Sequence, residues 1–394
     1  MKYRLSSVAH KIEGQPMFKT LARVQELERQ GRSVIHFEIG DPDFDTPANI
    51  VEAACESLKR GETHYTSSMG LPEFRQCVVQ ATKYTRHFTP SIEQVLVTPG
   101  ANISIFYAVQ CLVEPGDEVI VPDPGFPTYY SVIKMCGAVP VRVPLCEENA
   151  FRMNPDDVRT RITSKTRLII LNSPQNPTGA VMTPEEIEAV ADIAEEHDVY
   201  LYSDEIYVRM MLDDDCRFSS PATRDGCKVR TILANGFSKG FAMTGWRLGV
   251  VIGPEDVIEK MGLLLQTTSS CVPPFVQRAG IEAVCGDQTK VKAMIQEYRQ
   301  RRNILVDGLN SIPGIRCLRP GGAFYVFPNI TGTGFTSEGF ADYVLDKAGV
   351  ALLPGTDFGQ AGKGYVRLCY ATSREGIHEG LRRMRIAMEA LVPI

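Results

Sequence analysis

The sequence lacks the long apolar runs that cross membranes: no uncharged apolar stretch in its 394 residues approaches the length of a membrane span. Its N-terminal stretch, MKYRLSSVAHKIEGQP, also lacks the apolar segment of a signal peptide. Basic residues are not in excess, since 42 Lys and Arg face 47 Asp and Glu and the net charge is -5. Electrostatic binding of nucleic acid requires the opposite balance. These absences predict a protein with neither a membrane nor a nucleic-acid partner.

Paired cysteines of the metal-binding or redox type are missing as well. The 11 cysteines are odd in number, lie between Cys55 and Cys369, and include no CxxC pair. They are interpreted as mostly buried small apolar residues in a reducing compartment. We therefore expect no metal site and a location in the cytoplasm.

What the sequence does contain is an alternation of short β-branched runs with helical patterns. With 44% hydrophobic and 23% charged residues, the composition suits one large domain plus a smaller one. The alternation predicts an α/β fold, in which a mostly parallel central sheet is covered by helices. The candidate strands are VLV at 95–97, EVIV at 118–121, VPVRV at 139–143, RLIIL at 167–171, VYLYS at 199–203, RTILA at 230–234 and RLGVVI at 247–252.

One helix start is well marked: Thr183, Pro184 and Glu186 supply an N-cap, a first-turn proline and a capping-box glutamate. After about residue 286 the pattern changes to a long charged helix, a hairpin-like PGGAFYVFP, another helix, the strands VALL and YVRLCYA, and a final helix. We expect residues 286–394 to form a smaller α+β domain together with residues 1–45, whose helical FKTLARVQELERQG packs against it. The large domain is then 46–285.

Polar residues follow the candidate strands. In an open α/β sheet, ligands bind outside the carboxyl ends of the strands. There the sequence places TPGAN at 98–102, NSPQNPTG at 172–179, DEIY at 204–207 and NGFSK at 235–239, with a TGWR segment soon after. An acid, an amide, a lysine and an arginine at one sheet edge could bind an anionic, planar cofactor.

Taken singly, each of these residues has an ordinary interpretation. A lysine in a loop, such as Lys239, is usually solvated, and an aspartate at a strand end is usually a turn or cap residue. NPTG is a plausible turn. Gly100 before a helix is more often a tight turn than an anion site, although free N–H groups and the helix dipole favour phosphate there. Arg247 alone would be a surface or ion-paired arginine. Only their joint occurrence in this order points to a site.

The sequence resembles the class I aminotransferases that depend on pyridoxal phosphate, the aspartate-aminotransferase-like family of fold type I. The resemblance covers almost the whole chain, and a lysine followed by xxxxTGWR is highly specific. Its motifs are IGDPDFDTP at 39–47, HYTSSMGLPEFR at 64–75, NSPQNPTG at 172–179, YSDEIY at 202–207, SKGFAMTGWRLG at 238–249 and YVRLCYA at 365–371.

The resemblance implies roles for the residues around the cofactor ring. Lys239 holds the cofactor as a Schiff base and then acts as general base. Asp204 pairs with the pyridine nitrogen and keeps it protonated, which makes the ring an electron sink. Asn176 and Tyr207 hydrogen-bond the phenolic oxygen, and Phe126 stacks on the ring. Tyr129 and Tyr130 are interpreted as packing residues.

For the cofactor phosphate, the resemblance implies a cup at the start of a helix. Arginine suits this task because its planar fork donates two bonds to one phosphate. Many relatives carry a serine three positions before the lysine, but this chain has Gly236, which puts one phosphate contact in doubt. The implied phosphate residues are Gly100, Ala101, Asn102, Ser238 and Arg247, with Tyr65 reaching over from the neighbouring subunit of a homodimer with shared active sites.

The substrate carboxylate is implied to bind Arg367, Asn176 and the backbone near Gly40, whereas an ion pair on an exposed strand is the ordinary alternative for Arg367. The six histidines match no family role and are interpreted as structural or solvated. Neither LLLQTTSSCVPPF at 263–275 nor the NISIFYAVQCLV helix offers a cation for an acidic substrate side chain, and Lys19 is the only nearby candidate.

Transamination between an L-amino acid and a 2-oxo acid is the favoured reaction. The alternative on the same scaffold is a β-lyase or another enzyme that forms a Cα carbanion. A nicotinamide-dependent dehydrogenase would also be α/β, but no GxGxxG follows a candidate strand. A regulator with this fold would need a DNA-binding module, for which the chain has no room.

Overall fold

The structure is a computed structural model that describes residues 4–6, 8–12 and 14–391. The helices within these residues are α1 Pro16–Arg29, α2 Ala48–Lys59, α3 Pro72–Arg86, α4 Ala101–Leu112, α5 Pro127–Met135, α6 Pro155–Arg159, α7 Pro184–Glu196, α8 Ala222–Asp225, α9 Glu255–Ser269, α10 Pro274–Cys285, α11 Thr289–Asn310, α12 Ser337–Ala348 and α13 Arg374–Glu389. None of them combines the length and apolar character needed to cross a bilayer.

The strands of the described residues are β1 Ile35–His36, β2 Val95–Thr98, β3 Glu118–Asp123, β4 Val139–Pro144, β5 Thr166–Asn172, β6 Tyr200–Asp204, β7 Thr231–Gly236, β8 Gly249–Ile252, β9 Tyr325–Val326, β10 Val350–Ala351, β11 Leu353–Pro354 and β12 Val366–Cys369. Seven of them form one sheet in the order β2-β8-β7-β6-β5-β3-β4. All seven were predicted from apolar, β-branched runs, which is the pattern expected of strands buried on both faces.

The large sheet is not wholly parallel, because β8 runs antiparallel to both of its neighbours, β2 and β7. β7 and β8 are joined by the loop 237–248 and not by a crossover helix, and antiparallel neighbours need no crossover. The mostly parallel α/β fold predicted from the sequence is confirmed. The antiparallel pair places the loop that carries Lys239 at the predicted sheet edge.

Helices cover both faces of this sheet. α4, α5 and α9 pack on one face and bury one apolar cluster against the strands. On the other face, α2, α3 and α10 bury a second cluster, and α6 and α7 bury a third. The predicted capping box is present at the start of α7: the Thr183 hydroxyl accepts from the Glu186 N–H at 3.2 Å, and the Glu186 carboxylate accepts from the Thr183 N–H at 2.9 Å.

The remaining strands form two small sheets beside α11, α12 and α13. β1 pairs with β10 in parallel, and β11, β12 and β9 pair antiparallel. Two predictions were wrong here. PGGAFYVFP is not a hairpin, because its single strand β9 pairs with β12, and VALL divides into β10 and β11, which belong to different sheets.

Helix α1 packs against α12 and β10. Val24 of α1 is buried with Val34, Leu345 and Ala351. Arg23 adds ion pairs to acidic residues of α12. The N-terminal segment therefore joins the C-terminal α+β part through both an apolar cluster and β1.

Candidate active site

Three strands of the large sheet end side by side at the edge where the polar residues were expected. β5, β6 and β7 pair in parallel, and their register sets Asn172 opposite Asp204 and Asp204 opposite Ala234. Since the carboxyl ends of parallel strands meet at one edge, the loops that follow them face the same space. The strand pattern of the sequence thus brings Asp204 and the loops that carry Asn176 and Lys239 together.

Asp204, the last residue of β6, is buried and accepts two hydrogen bonds. Tyr129 Oη donates to its Oδ2 at 2.6 Å, and the Ile206 N–H donates to its Oδ1 at 3.2 Å. Burial raises the pKa of Asp204 to about 6, and both hydrogen bonds oppose that rise. Within the described ranges this carboxylate has no ion pair, so it is a buried acid suited to a positively charged ligand atom.

The interpretation of Tyr129 as a packing residue was incomplete. Its ring does pack edge-on against Phe126, at 5.6 Å between ring centres, but its hydroxyl binds Asp204. Tyr130 instead donates to the backbone oxygen of Pro122. Helical spacing does not distinguish the two tyrosines, because residues three and four positions apart both share a face with Phe126.

Arg367 on β12 is fully buried, so the ordinary alternative of an ion pair on an exposed strand is wrong. Its Nη1 donates to Asn176 Oδ1 at 3.1 Å and its Nη2 to the backbone oxygen of Glu38 at 2.6 Å, while Nε finds no acceptor among the residues described. The guanidinium lies between the rings of Tyr325 and Phe358, at 4.6 and 4.7 Å from their centres. A buried guanidinium that is incompletely paired fits a carboxylate ligand.

Asn172 holds the loop that carries Asn176, a role that the sequence analysis missed. Its Oδ1 accepts from the Asn176 N–H at 2.9 Å, and its Nδ2 donates to the backbone oxygen of Asp204 at 3.1 Å. One side chain therefore ties the end of β6 to the residue that binds Arg367. The sequence did indicate that Asn172 is polar and ends a buried strand, and this position could have marked it as a residue of the site.

Tyr207 and Tyr325 share a hydrogen bond of 2.8 Å between their hydroxyls. Burial raises the pKa of Tyr207 well above its ordinary value, so its hydroxyl stays protonated. Tyr325 also lies against Gly40: a Cβ at position 40 would be 2.1 Å from the Tyr325 hydroxyl oxygen, so only glycine fits. Tyr325 thus contacts Tyr207, Gly40 and Arg367, yet it was not singled out from the sequence.

The ammonium of Lys239 is enclosed, although the residue as a whole keeps partial exposure. Its Nζ donates to the backbone oxygen of Gly40. Burial lowers the pKa of Lys239 to about 8, against the opposing effect of Asp41. An amine with this pKa is partly neutral near physiological pH, as a nucleophile or base must be.

The start of α4 forms a cup beside this lysine loop. Gly100 has φ +85°, and the Arg247 guanidinium packs against it so closely that a Cβ there would lie 2.3 Å from Nη2. A Cβ on Gly249 would likewise lie 2.6 Å from the Ala101 nitrogen. The first N–H groups of a helix, here those of Ala101 and Asn102, have no partner in the helix, and with the arginine they suit an anion. Ser238 is buried in the adjoining loop.

Position 236 is closely packed, which the sequence did not reveal. A Cβ at this position would lie 2.8 Å from Ile206 Cδ1 and 3.2 Å from the Ala101 Cβ. Ile206 therefore occupies space that a larger residue at 236 would need. A side chain at position 236 would require the end of the Ile206 side chain to move.

Three predicted residues are less directly connected to the site. Phe126 reaches Asp204 only through the Tyr129 ring. Tyr65 is 87% exposed in the loop between α2 and α3. Lys19 is exposed on α1 and lies near Asp357, whose pKa burial raises to about 6 while the Arg367 and Lys19 charges oppose that rise.

Together these features suit an enzyme with an anionic, planar cofactor beside the buried lysine and a carboxylate ligand at the buried arginine. Residues 32–384 match the family described as aminotransferase class I and II, and the chain belongs to this family. It is an aminotransferase that depends on pyridoxal phosphate.

Relatives with several printed activities match nearly the full chain. The aspartate aminotransferase of Pyrococcus horikoshii is 45% identical over 373 residues, which cover 93% of this chain and 95% of that protein. The aromatic-amino-acid aminotransferase 2 of Thermococcus litoralis is 40% identical, with coverage of 92% and 94%. The solved aspartate aminotransferase from Thermus thermophilus with maleate superposes with a TM-score of 0.93 at 36% identity, covering 98% of this chain and 100% of that one.

Proposed function

We propose that this chain transfers an amino group from an L-amino acid to a 2-oxo acid in a ping-pong cycle centred on Lys239. The observation that carries the proposal is one continuous set of contacts: Lys239 binds Gly40, Gly40 lies against Tyr325, and Tyr325 stacks on Arg367. A reactive amine and a guanidinium suited to a carboxylate are thereby connected through Gly40 and Tyr325.

The residues present fit pyridoxal phosphate. The buried Asp204 lacks a cationic neighbour among the described residues, which suits a protonated pyridine nitrogen. The cup formed by Gly100, Ala101, Asn102 and Arg247 suits a phosphate. Lys239 would hold the cofactor covalently through Nζ, and Ser238, Asn176, Tyr207, Phe126 and the partner's Tyr65 would complete the site.

When bound, the cofactor supplies an electron sink for the bond broken at the substrate Cα. Lys239 Nζ removes the proton from that Cα, because its lowered pKa leaves the amine free to accept one. Asp204 stabilises the positive charge at the ring nitrogen, and Tyr129 keeps this carboxylate ionised by donating to it. Tyr207 would donate a hydrogen bond from its hydroxyl to the phenolic oxygen of the cofactor. The hydrogen bond between Tyr207 and Tyr325 orients that hydroxyl.

Arg367 would bind the substrate carboxylate through the donor capacity that its Nε leaves unused. Asn176 and the Glu38 backbone fix the plane of the guanidinium, so the carboxylate is oriented as well as attracted. The absence of a Cβ at Gly40 lets the Tyr325 hydroxyl approach the backbone there. This geometry orients the Cα–H bond toward the lysine.

For the amino donor, we propose neutral or aromatic side chains over acidic ones. The aromatic rings of Tyr325 and Phe358 lie on Arg367, and the acid Asp357 is also within reach of its charge. A second carboxylate would face that acid, with only the exposed Lys19 to offset it. The printed names of the relatives include both aspartate and aromatic amino acids, so they do not decide between these donors.

We also propose the two-domain division at 46–285, with 1–45 joining 286–394, and a homodimer with shared sites. The pairing of β1 with β10 supports the first, and the exposure of Tyr65 supports the second. The 11 free cysteines support a location in a reducing compartment such as the cytoplasm.

A donor panel tests this function. Aspartate, alanine, phenylalanine and leucine would be compared at fixed 2-oxoglutarate, with the new 2-oxo acid and glutamate both quantified. Equal amounts of the two products are expected, with phenylalanine or leucine giving the highest kcat/KM. A 2-oxo acid formed without glutamate would indicate a lyase, and a highest kcat/KM for aspartate would contradict the donor proposal.

A further inference from the structure

A second cavity lies across the lysine loop from the candidate active site. It has a volume of about 180 Å³ and is enclosed by α3, the segment after Tyr207, the end of β7 and the residues that follow Lys239. Apolar side chains form most of its wall, among them Val78, Ala81, Phe237 and Phe241. The polar lining residues are Thr82, Thr85, Arg86, Arg209 and Asn235.

The two arginines of this cavity differ in how their charges are balanced. Arg86 is buried and lies against Glu205, to which its Nε donates at 2.7 Å. Its Nη2 lies 2.6 Å from the same oxygen but has no hydrogen bond of its own. The charges of this pair cancel.

Arg209 has no such partner in the part of the chain that the structure describes. Its guanidinium stacks on Phe241 at 4.4 Å from the ring centre and makes one long hydrogen bond of 3.4 Å to Gln288. Burial lowers the pKa of Arg209, the positive charge of Arg86 lowers it further, and no carboxylate opposes the two effects. The cavity therefore carries one uncompensated positive charge.

A route from solvent leads to this charge. Arg209 also borders a groove of about 290 Å³ formed with the first turns of α11, whose other lining residues are Gln288, Val291, Lys292, Ile295 and Gln296. Lys292 adds a second cation at the mouth. An anion would be attracted along the groove to Arg209, with the apolar part of the molecule in the cavity lined by Phe237 and Phe241.

We propose that this cavity binds a small organic monocarboxylate, with its carboxylate on Arg209 and its apolar body between Phe237, Phe241 and Val78. One unpaired guanidinium matches one carboxylate, whose two oxygens accept its parallel N–H groups. A dry cavity of about 150 Å³ holds a benzene ring, so the space here suits a molecule of the size of benzoate or a branched five- or six-carbon acid. An inorganic dianion would leave the apolar wall unused and add uncompensated charge.

This site is separate from substrate binding at Arg367. Lys239 Nζ points to Gly40, whereas the cavity is bounded by Gly236 at the end of β7 and by Phe237 and Phe241 of the lysine loop. The two sites therefore lie on different sides of one short segment. Binding in the cavity does not depend on the catalytic roles proposed above.

The test measures binding of 4-fluorobenzoate to the holoenzyme by fluorine NMR. Excess 2-oxoglutarate is present to occupy Arg367, so that 4-fluorobenzoate does not bind there. Saturable binding is expected, and 4-fluorobenzamide, which lacks the charge, should bind far more weakly. Arg209→Gln should weaken 4-fluorobenzoate binding by about 10-fold or more, since it removes a charge-assisted hydrogen bond. Arg167→Gln is the matched control, because it removes an exposed arginine elsewhere and should change nothing.

Ala81→Leu provides an independent variant that retains Arg209 but fills the cavity. It should abolish binding while leaving the thermal midpoint equal to or above that of the wild type. The proposal fails if the wild-type enzyme shows no saturable binding with Arg367 occupied, or if Arg209→Gln and Ala81→Leu both bind like wild type. Displacement by inorganic phosphate as effective as by benzoate would overturn the monocarboxylate assignment.

Discussion

Tyr129 Oη donates a 2.6 Å hydrogen bond to Asp204 Oδ2, joining the first turn of α5 to the end of β6. Burial of Asp204 favours its protonated form, and this hydrogen bond favours the ionised form. The charge on Asp204 therefore depends on a residue of α5, the helix that follows β3, and β3 lies two places from β6 in the sheet order.

Tyr129→Phe should raise the pKa of Asp204 further above 6, because one of the two bonds that oppose the rise is lost. We expect kcat to fall about 10-fold at neutral pH, since a hydrogen bond to a charged group contributes about 1.5–3 kcal/mol. The acid limb of the kcat profile should move to higher pH. Tyr130→Phe is the matched control, because that hydroxyl binds Pro122 instead; an equal shift in both variants would contradict the assignment.

Asp204→Asn should cost more than Tyr129→Phe, because an amide cannot balance a protonated ring nitrogen. We expect kcat to fall by at least ~10²–10³, as when one preorganised electrostatic partner is removed. Cofactor content would be measured by absorbance to show that the site is still loaded. Asp192→Asn, on the exposed face of α7, is the control. A near-wild-type rate for Asp204→Asn would remove the basis for its electrostatic role.

The difference between Asp204 and Tyr129 shows what the sequence could predict. Asp204 follows a buried apolar strand, and strand order alone brings such residues to one edge. Tyr129 acquires its role only because α5 packs over β6, and neither helix periodicity nor motif spacing specifies that contact. Tyr325 is similar: its partners Tyr207, Gly40 and Arg367 come from distant segments that meet only in the folded chain.

The sequence also could not predict to which sheet each strand of the C-terminal part belongs. Val350 and Leu353 fall in one apolar run, but β10 pairs with β1 while β11 pairs with β12. An apolar run indicates burial and does not specify the partner strand. The packing of Ile206 that accounts for Gly236 is likewise a tertiary contact.

His36 should make stability depend on pH. Its Nδ1 lies 2.8 Å from Glu38 Oε1 and its Nε2 3.0 Å from Glu28 Oε1, and the hydrogen bond to Glu38 is the main cause that raises the pKa of His36 to about 9. Because this folded-state pKa exceeds the unfolded value of about 6.5, the contribution is full below about pH 6.5 and is lost as pH rises through about 9. With 42% of the side chain exposed, solvent screening limits it to about 1–2 kcal/mol.

His36→Gln should therefore lower the free energy of unfolding at pH 6 but not at pH 10, as measured by denaturant titration across this range. His197→Gln, at the end of α7, serves as the control and should show no such pH-dependent difference. A constant difference between wild type and His36→Gln from pH 6 to pH 10 would show that protonation of His36 does not stabilise the fold.

The active sites should be shared between two chains, with Tyr65 of one completing the site around Lys239 of the other. Tyr65 is 87% exposed within its own chain, so the alternative that it packs there is wrong. Tyr65→Ala homodimers should be impaired and Lys239→Ala homodimers inactive. Tyr84→Ala is the matched control, since Tyr84 is 77% exposed elsewhere on the surface and its loss should leave activity unchanged.

Mixing the Tyr65→Ala and Lys239→Ala variants then shows whether Tyr65 acts in the active site of the other chain or in that of its own chain. A two-fold interface places each chain's loop at the other chain's site. In a refolded mixture, a hybrid dimer has one site with both native residues and one site with neither. Random assortment makes about half of the dimers hybrids, so activity should recover to about a quarter of the wild-type value. If Tyr65 served its own chain, no hybrid site would be fully native, and activity would stay at or below that of Tyr65→Ala alone.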